Sequence, residues 1–227
     1  MEEEGVIVEE VNKEIVIPCG KWMRYFGFTI LLQFIGVIIV SILMVAEIFF
    51  IMQQYEIEEM TQEEIAQIVV NALLKYLIIF MIIAIIVGII AITTGLKIIP
   101  MKEYEGIFLI AGVLIIIGYI TQIIGSAYSI YFLATIALEK ITYLMEMGAY
   151  TQLTGGMIAQ VPTYILIIAF ILLGIALYQF GEDYEEYSDV KTWGIVTLIG
   201  GVLIFIGIGY IILMISLIMA GGKLKRE

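Results

Sequence analysis

Histidine is absent from these 227 residues, and cysteine occurs once, as Cys19. Without imidazole, the usual zinc and copper sites, bis-histidine haem ligation and a Ser-His-Asp set are all excluded. One thiol closes no internal disulfide and holds no cysteine-based cluster. Basic residues are scarce too. The 11 Lys and Arg face 22 Asp and Glu, so the chain lacks the cations that a phosphate backbone demands. No glycine loop carries the lysine of a phosphate-binding motif. These absences predict a chain without cofactor, metal site or nucleic-acid partner, and a non-enzymatic role.

What is present is hydrocarbon. Apolar residues make up 62% of the chain, against about 45–50% in ordinary soluble domains. Mean hydropathy is +1.09. A bilayer core needs about 20 consecutive apolar residues in a helix. Five stretches qualify: 26–52, 68–92, 107–138, 161–181 and 193–220. The expected fold is all-α, a polytopic membrane protein built as a five-transmembrane-helix bundle, with no room for a separate soluble domain. The chain divides into a polar N-terminal segment (1–25), a first transmembrane helix with an acidic loop (26–60), a first hairpin (61–138), a connecting segment with a second hairpin (139–220), and a basic tail (221–227). The first apolar run follows acidic residues and exceeds the core of a cleavable signal, so it is expected to stay as a permanent helix.

Local signals refine this plan. "GVIVEEVNKEIVIP" (5–18) alternates β-branched and charged residues and reads as a short strand or interfacial turn, stopped by Pro18 and Gly20. Lys21, Trp22, Arg24 and Tyr25, with Trp193 at the last stretch, are anchors for a water–lipid boundary. Thr61 followed by Glu64 predicts a capping box opening the second helix. The third helix is expected to run past Leu138 towards Gly148, and Pro162 to stand near the start of the fourth.

One pattern occurs twice. "GVLIIIG" (112–118) returns as "GVLIFIG" (201–207), within the longer match of "GIFLIAGVLIIIG" (106–118) to "GIVTLIGGVLIFIG" (194–207). A shift of 88 places Tyr76 on Tyr164 and Gly106 on Gly194. The pattern predicts a duplicated helical hairpin in parallel orientation, with the first helix as an added element. In lipid, helices adhere by close packing, which wants small residues where backbones meet. Gly106, Gly112, Gly118 and Gly125, and likewise Gly194, Gly200, Gly201 and Gly207, are therefore the candidate helix-packing positions.

The end of the chain, "EYSDVKTWGIVTLIGGVLIFIGIGYIILMISLIMAGG", resembles the last span of small archaeal multi-pass membrane proteins of unknown function. In those proteins a short polar motif precedes a glycine-rich final helix. The resemblance implies an archaeal cytoplasmic-membrane protein and carries no activity with it. Abundant isoleucine and only two asparagines, Asn12 and Asn71, suit a hot environment.

Charges inside a span are the usual functional pointers. Glu47 and Lys75 lie on antiparallel helices joined by a short loop, at similar depth, and are the candidate intramembrane ion pair. They serve either as a proton or ion relay or as a couple pinning the hairpin. Gln33, Asn71, Gln122, Ser126, Ser129 and Gln160 are further polar groups in or near spans, suited to interhelical hydrogen bonds or a substrate path. The acidic connection Glu182, Asp183, Glu185, Glu186 and Asp189 lacks the spacing of a calcium loop and reads as a partner-facing segment. Counting basic residues near span ends puts the N-terminus inside and the C-terminus outside. The leading expectation is a membrane subunit that scaffolds an assembly, with the bilayer, other membrane subunits or itself as partner. The alternative is a small transporter or channel.

Overall fold

A computed structural model describes residues 11–54, 61–139 and 141–225. Its elements are α-helices: α1 (Lys13–Gln54), α2 (Gln62–Ile98), α3 (Ile107–Glu139), α4 (Ile141–Asp183), α5 (Ser188–Val202) and α6 (Ile208–Leu224), with short 3₁₀ turns between some of them. Five helical segments are long and apolar enough to cross a membrane: Lys13–Ile51, Val70–Glu103, Ile107–Tyr131, Gln160–Asp183 and Glu185–Ile206. Each helix packs on the next in sequence, and α6 returns to pack on α1, closing a ring.

The helix starts follow local chemistry. Asn12 caps α1, its Oδ1 accepting from the Glu14 amide at 3.0 Å while its carbonyl accepts from Ile15 and Val16. Thr61 and Glu64 form the complete capping box of α2. Three expectations are corrected here. No strand or turn occupies 13–20, because α1 runs straight through Pro18 and Gly20, and residues 5–10 of that stretch lie outside the described residues. Pro18 lies early in the helix, where its missing N–H deprives only the carbonyl of exposed Glu14. The third helix ends at Glu139, and residues 141–148 belong to α4. Pro162 thus sits inside a 43-residue helix and not at its start.

The largest correction concerns the last apolar stretch, which is two helices. Gly207 adopts φ +76°, ends the 3₁₀ turn Leu203–Ile206 and opens α6. The chain then doubles back: Gly200 faces Leu213, and Asp189 at the start of α5 binds Lys223 near the end of α6. The end of α6 abuts the start of α1, where a Cβ on Gly20 would stand 2.7 Å from Leu224 Cβ. Asn12 donates to the Tyr104 hydroxyl at 2.7 Å, so the α2–α3 connection lies at this same end. Tyr104 in turn packs on Phe180 and Tyr184 at the end of α4. Both ends of the described chain therefore share one end of the bundle. This differs from the expectation of a C-terminus opposite the N-terminus, because α6 turns back at Gly207 and returns to the start of α1.

This geometry also sorts the charges. Lys13, Lys21, Arg24, Lys97, Lys102, Lys191, Lys223 and Lys225 all stand at that end, and Lys75 alone among the described cations stands away from it. Lys140 and Arg226, also used in the orientation count, lie outside the described residues. Arg24 and Glu47 are about 34 Å apart along α1, and Lys75 and Lys97 about 33 Å apart along α2, close to one bilayer core. Gly221 abuts Arg24, and Gly207 lies about 21 Å further along α6. The hairpin tip therefore stops roughly 13 Å short of the level of Glu47.

Candidate functional site

Glu47 and Lys75 meet across α1 and α2. The Lys75 ammonium donates to both carboxylate oxygens, at 3.0 and 2.7 Å, and the Tyr76 hydroxyl donates to Oε2 as well. Tyr76 is only 5% exposed, whereas the Lys75 and Glu47 side chains keep 57% and 31% of their surface. Adjacent positions on α2 thus supply one donor from outside the seam and one from within it. Tyr76, placed in the sequence only as a repeat marker, is the third member, and its neighbouring position to Lys75 was the available signal. With both carboxylate oxygens engaged, the cluster ties α1 to α2. It is a partly exposed clasp near the far end of the apolar span.

The eight candidate glycines separate into two groups. A Cβ at Gly112 would stand 2.8 Å from the Gly95 carbonyl of α2, and one at Gly118 2.6 Å from Leu166 of α4. At Gly194 it would lie 2.5 Å from the Tyr178 amide; at Gly201, 3.0 Å from the Ile171 amide; at Gly200, 3.0 Å from Leu213. Gly106, Gly125 and Gly207 have nothing within 4 Å of that position, so they form no close approach. Gly106 precedes α3 in a turn, and Gly207 is the reversal itself.

The partners across the seams are glycines outside the eight candidates. Gly95 faces Gly112 between α2 and α3; Gly174 faces Gly194 between α4 and α5; Gly20 faces Gly221 between α1 and α6. Three of the ring's interfaces are thus glycine against glycine, with each carbonyl lying where the other's side chain would start.

Inside the ring the packing is apolar, with Phe26, Phe108, Ile115, Phe170, Leu173, Leu177, Leu213 and Leu217 buried together. Phe26 meets Tyr119 edge-on at 5.5 Å. The buried hydroxyls spend their donors on helix carbonyls: Thr29 on Tyr25, Thr94 on Ile90, Thr197 on Trp193 and Ser216 on Leu213. Gln122 Oε1, Gln179 Oε1 and the Tyr187 hydroxyl are buried with no partner.

At the basic end Trp22 and Tyr25 meet edge-on at 5.8 Å, the Lys21 ammonium lies 5.9 Å from the Tyr25 ring, and Arg24 lies over Phe28. Trp193 packs half-buried on the core. The acidic connection takes cations from within the chain, Glu182 from Lys191 at 2.9 Å and Asp189 from Lys223. Glu105, in the α2–α3 connection, has its carboxyl pushed above the ordinary range by burial and by a hydrogen bond with Asp183. Among the described residues no group of three or more His, Cys, Asp or Glu is arranged to hold a metal ion.

These features define an all-helical, membrane-type bundle held by glycine seams around an apolar interior. The chain belongs to the family described as protein of unknown function (DUF973), whose model matches residues 23–226. No curated protein and no solved structure matches it.

Proposed function

We propose that this protein is a non-catalytic integral membrane subunit that packs within or scaffolds a larger membrane assembly. The observation that supports this reading is the α5–α6 tip. Phe205 and Ile206 are 63% and 64% exposed there, in the 3₁₀ turn Leu203–Ile206 that reverses at Gly207 and stops short of the far end of the apolar span. The reversal opens α6 with no side-chain cap, and a helix start leaves its first N–H groups without intrahelical partners, which is costly in hydrocarbon. A partner helix over the tip removes that cost. The described core of the ring is apolar and closely packed. We further assign the basic end to the cytoplasm by the positive-inside rule, with both ends of the described chain there.

A transporter or channel is the second reading, favoured by Gln122, whose buried Oε1 lacks a partner. On that reading the tip lines water and not a partner, and the clasp of Glu47 and Lys75 lies near the path. Cys19 is buried, so a Phe205→Cys chain presents one new accessible thiol. A photoreactive group on that thiol should cross-link to a second membrane polypeptide in native membranes, while aqueous, membrane-impermeant thiol reagents leave it unmodified. Ready modification from the aqueous phase without cross-linking would reject the subunit and favour the solute path.

A further inference from the structure

We infer that the outward groove between α1 and α6 at the basic end binds an anionic phospholipid, its phosphate held by Arg24 and Lys223 and its acyl chain lying along the two helices. At the mouth is a cavity of about 240 Å³ lined by Arg24, Ile218, Met219, Gly222 and Lys223. Further along the same pair of helices is a second cavity of about 150 Å³, lined by Ile30, Leu31, Phe34, Tyr210, Ile211 and Met214. Leu31 lies about 10 Å beyond Arg24 on the same face of α1. Exposed Phe28 and Ile215 stand on the helix faces between the two.

Two adjacent glycines explain the groove. Gly221 is locked against the Gly20 carbonyl and the Arg24 backbone, which brings the helices together. Gly222 has nothing within 4 Å of where a side chain would begin, so its missing side chain leaves the mouth open. Arg24 is exposed and forms no ion pair with any described residue; its neighbour is the Phe28 ring, 5.8 Å from the guanidinium. Lys223 gives one N–H to Asp189 and keeps two further donors. Among the described residues Asp189 is the carboxylate bound at the mouth and Lys223 balances it, so none of them compensates Arg24. The other cations of this end are matched by the carboxylates of the acidic connection and its neighbours, so the attraction rests on Arg24 and Lys223 at the mouth. A free phosphate would use only the mouth. The apolar walls beyond it call for hydrocarbon attached to the phosphate, which identifies the ligand as a lipid of the basic-side leaflet.

This inference rests on the seam facing a bilayer. Its test is native mass spectrometry of the full chain released from lipid discs that contain phosphatidylglycerol and phosphatidylcholine with identical acyl chains. Phosphatidylglycerol should be retained over phosphatidylcholine by about tenfold, the scale of one charge-assisted contact. Arg24→Gln should abolish the preference. Gly222→Phe, which fills open space and leaves the charges in place, should reduce retention of both lipids. Equal retention of the two lipids, or phosphatidylglycerol retention unchanged in both variants, would overturn the site. Displacement of the lipid by millimolar inorganic phosphate alone would overturn the acyl groove. A chain that fails to enter the discs would overturn the bilayer reading beneath it.

Discussion

A single missing methyl group decides much of this structure. At Gly194 a Cβ would fall on the backbone of α4, which cannot yield as a side chain tip can. At Gly125 the same Cβ enters open space within a helix. The two positions look alike in sequence, and opposite responses are expected. Gly194→Ala should destabilise the bundle by about 1–3 kcal/mol through overpacking. Gly125→Ala should be neutral or stabilising, by up to about 1 kcal/mol, because alanine restricts the unfolded chain. Reversible unfolding of the two variants in mixed micelles checks both signs. Glu105 gives a pH signature at the same scale. Its carboxyl is raised in the folded chain, so its contribution to stability is full below the ordinary carboxylate range and is lost as pH rises through the folded value. Glu105→Gln should flatten the fall in melting temperature over that interval above pH 4.5. An unchanged pH profile would show that the pair with Asp183 contributes nothing.

At the scale of elements, the repeated heptad is the instructive case. "GVLIIIG" continues as helix through α3, while "GVLIFIG" unwinds into a 3₁₀ turn and reverses at Gly207. The seven residues do not carry the difference. Two positions later the first copy has Ile120 and the second Gly209, whose Cβ would fall on the Ile204 amide and the Gly200 carbonyl. Ile120 could not occupy that bend. Gly209→Ile should therefore open the α5–α6 hairpin. Hydrogen exchange should report it as faster exchange across 196–216 with the rest of the bundle unchanged, whereas exchange confined to residue 209 would show that the turn survives. The long apolar stretches and the capping box at Thr61 were legible because hydrophobic length and cap chemistry are local. The depth shared by Glu47 and Lys75 was legible from helix arithmetic along one short connection. Gly207 as a reversal was not, because an apolar run has the same hydropathy whether it crosses or turns back. Gly20, Gly95 and Gly174 were legible, each with a second glycine seven residues away at Gly27, Gly88 and Gly181, whereas Gly221 has none and the helix each stripe meets is not a local property.

At the scale of the whole molecule, the ring closes between its first and last helices, and the reversal at Gly207 is what allows it. Had 193–220 crossed as one straight helix, Gly221 would lie at the far end from Gly20, and Lys223 could not reach Asp189. The cations would then divide between the two faces. With the hairpin, all but Lys75 of the described cations gather at one end and the far end carries the Glu47–Lys75 clasp. Chain reversal, charge asymmetry and the α1–α6 seam are thus consequences of one turn. The measurement that reaches this directly is paired accessibility in sealed, oriented membrane vesicles, using single cysteines at Asn12 and at Lys225 with an impermeant thiol reagent. Both positions should be modified from the same face, and protection of one while the other reacts would contradict the hairpin.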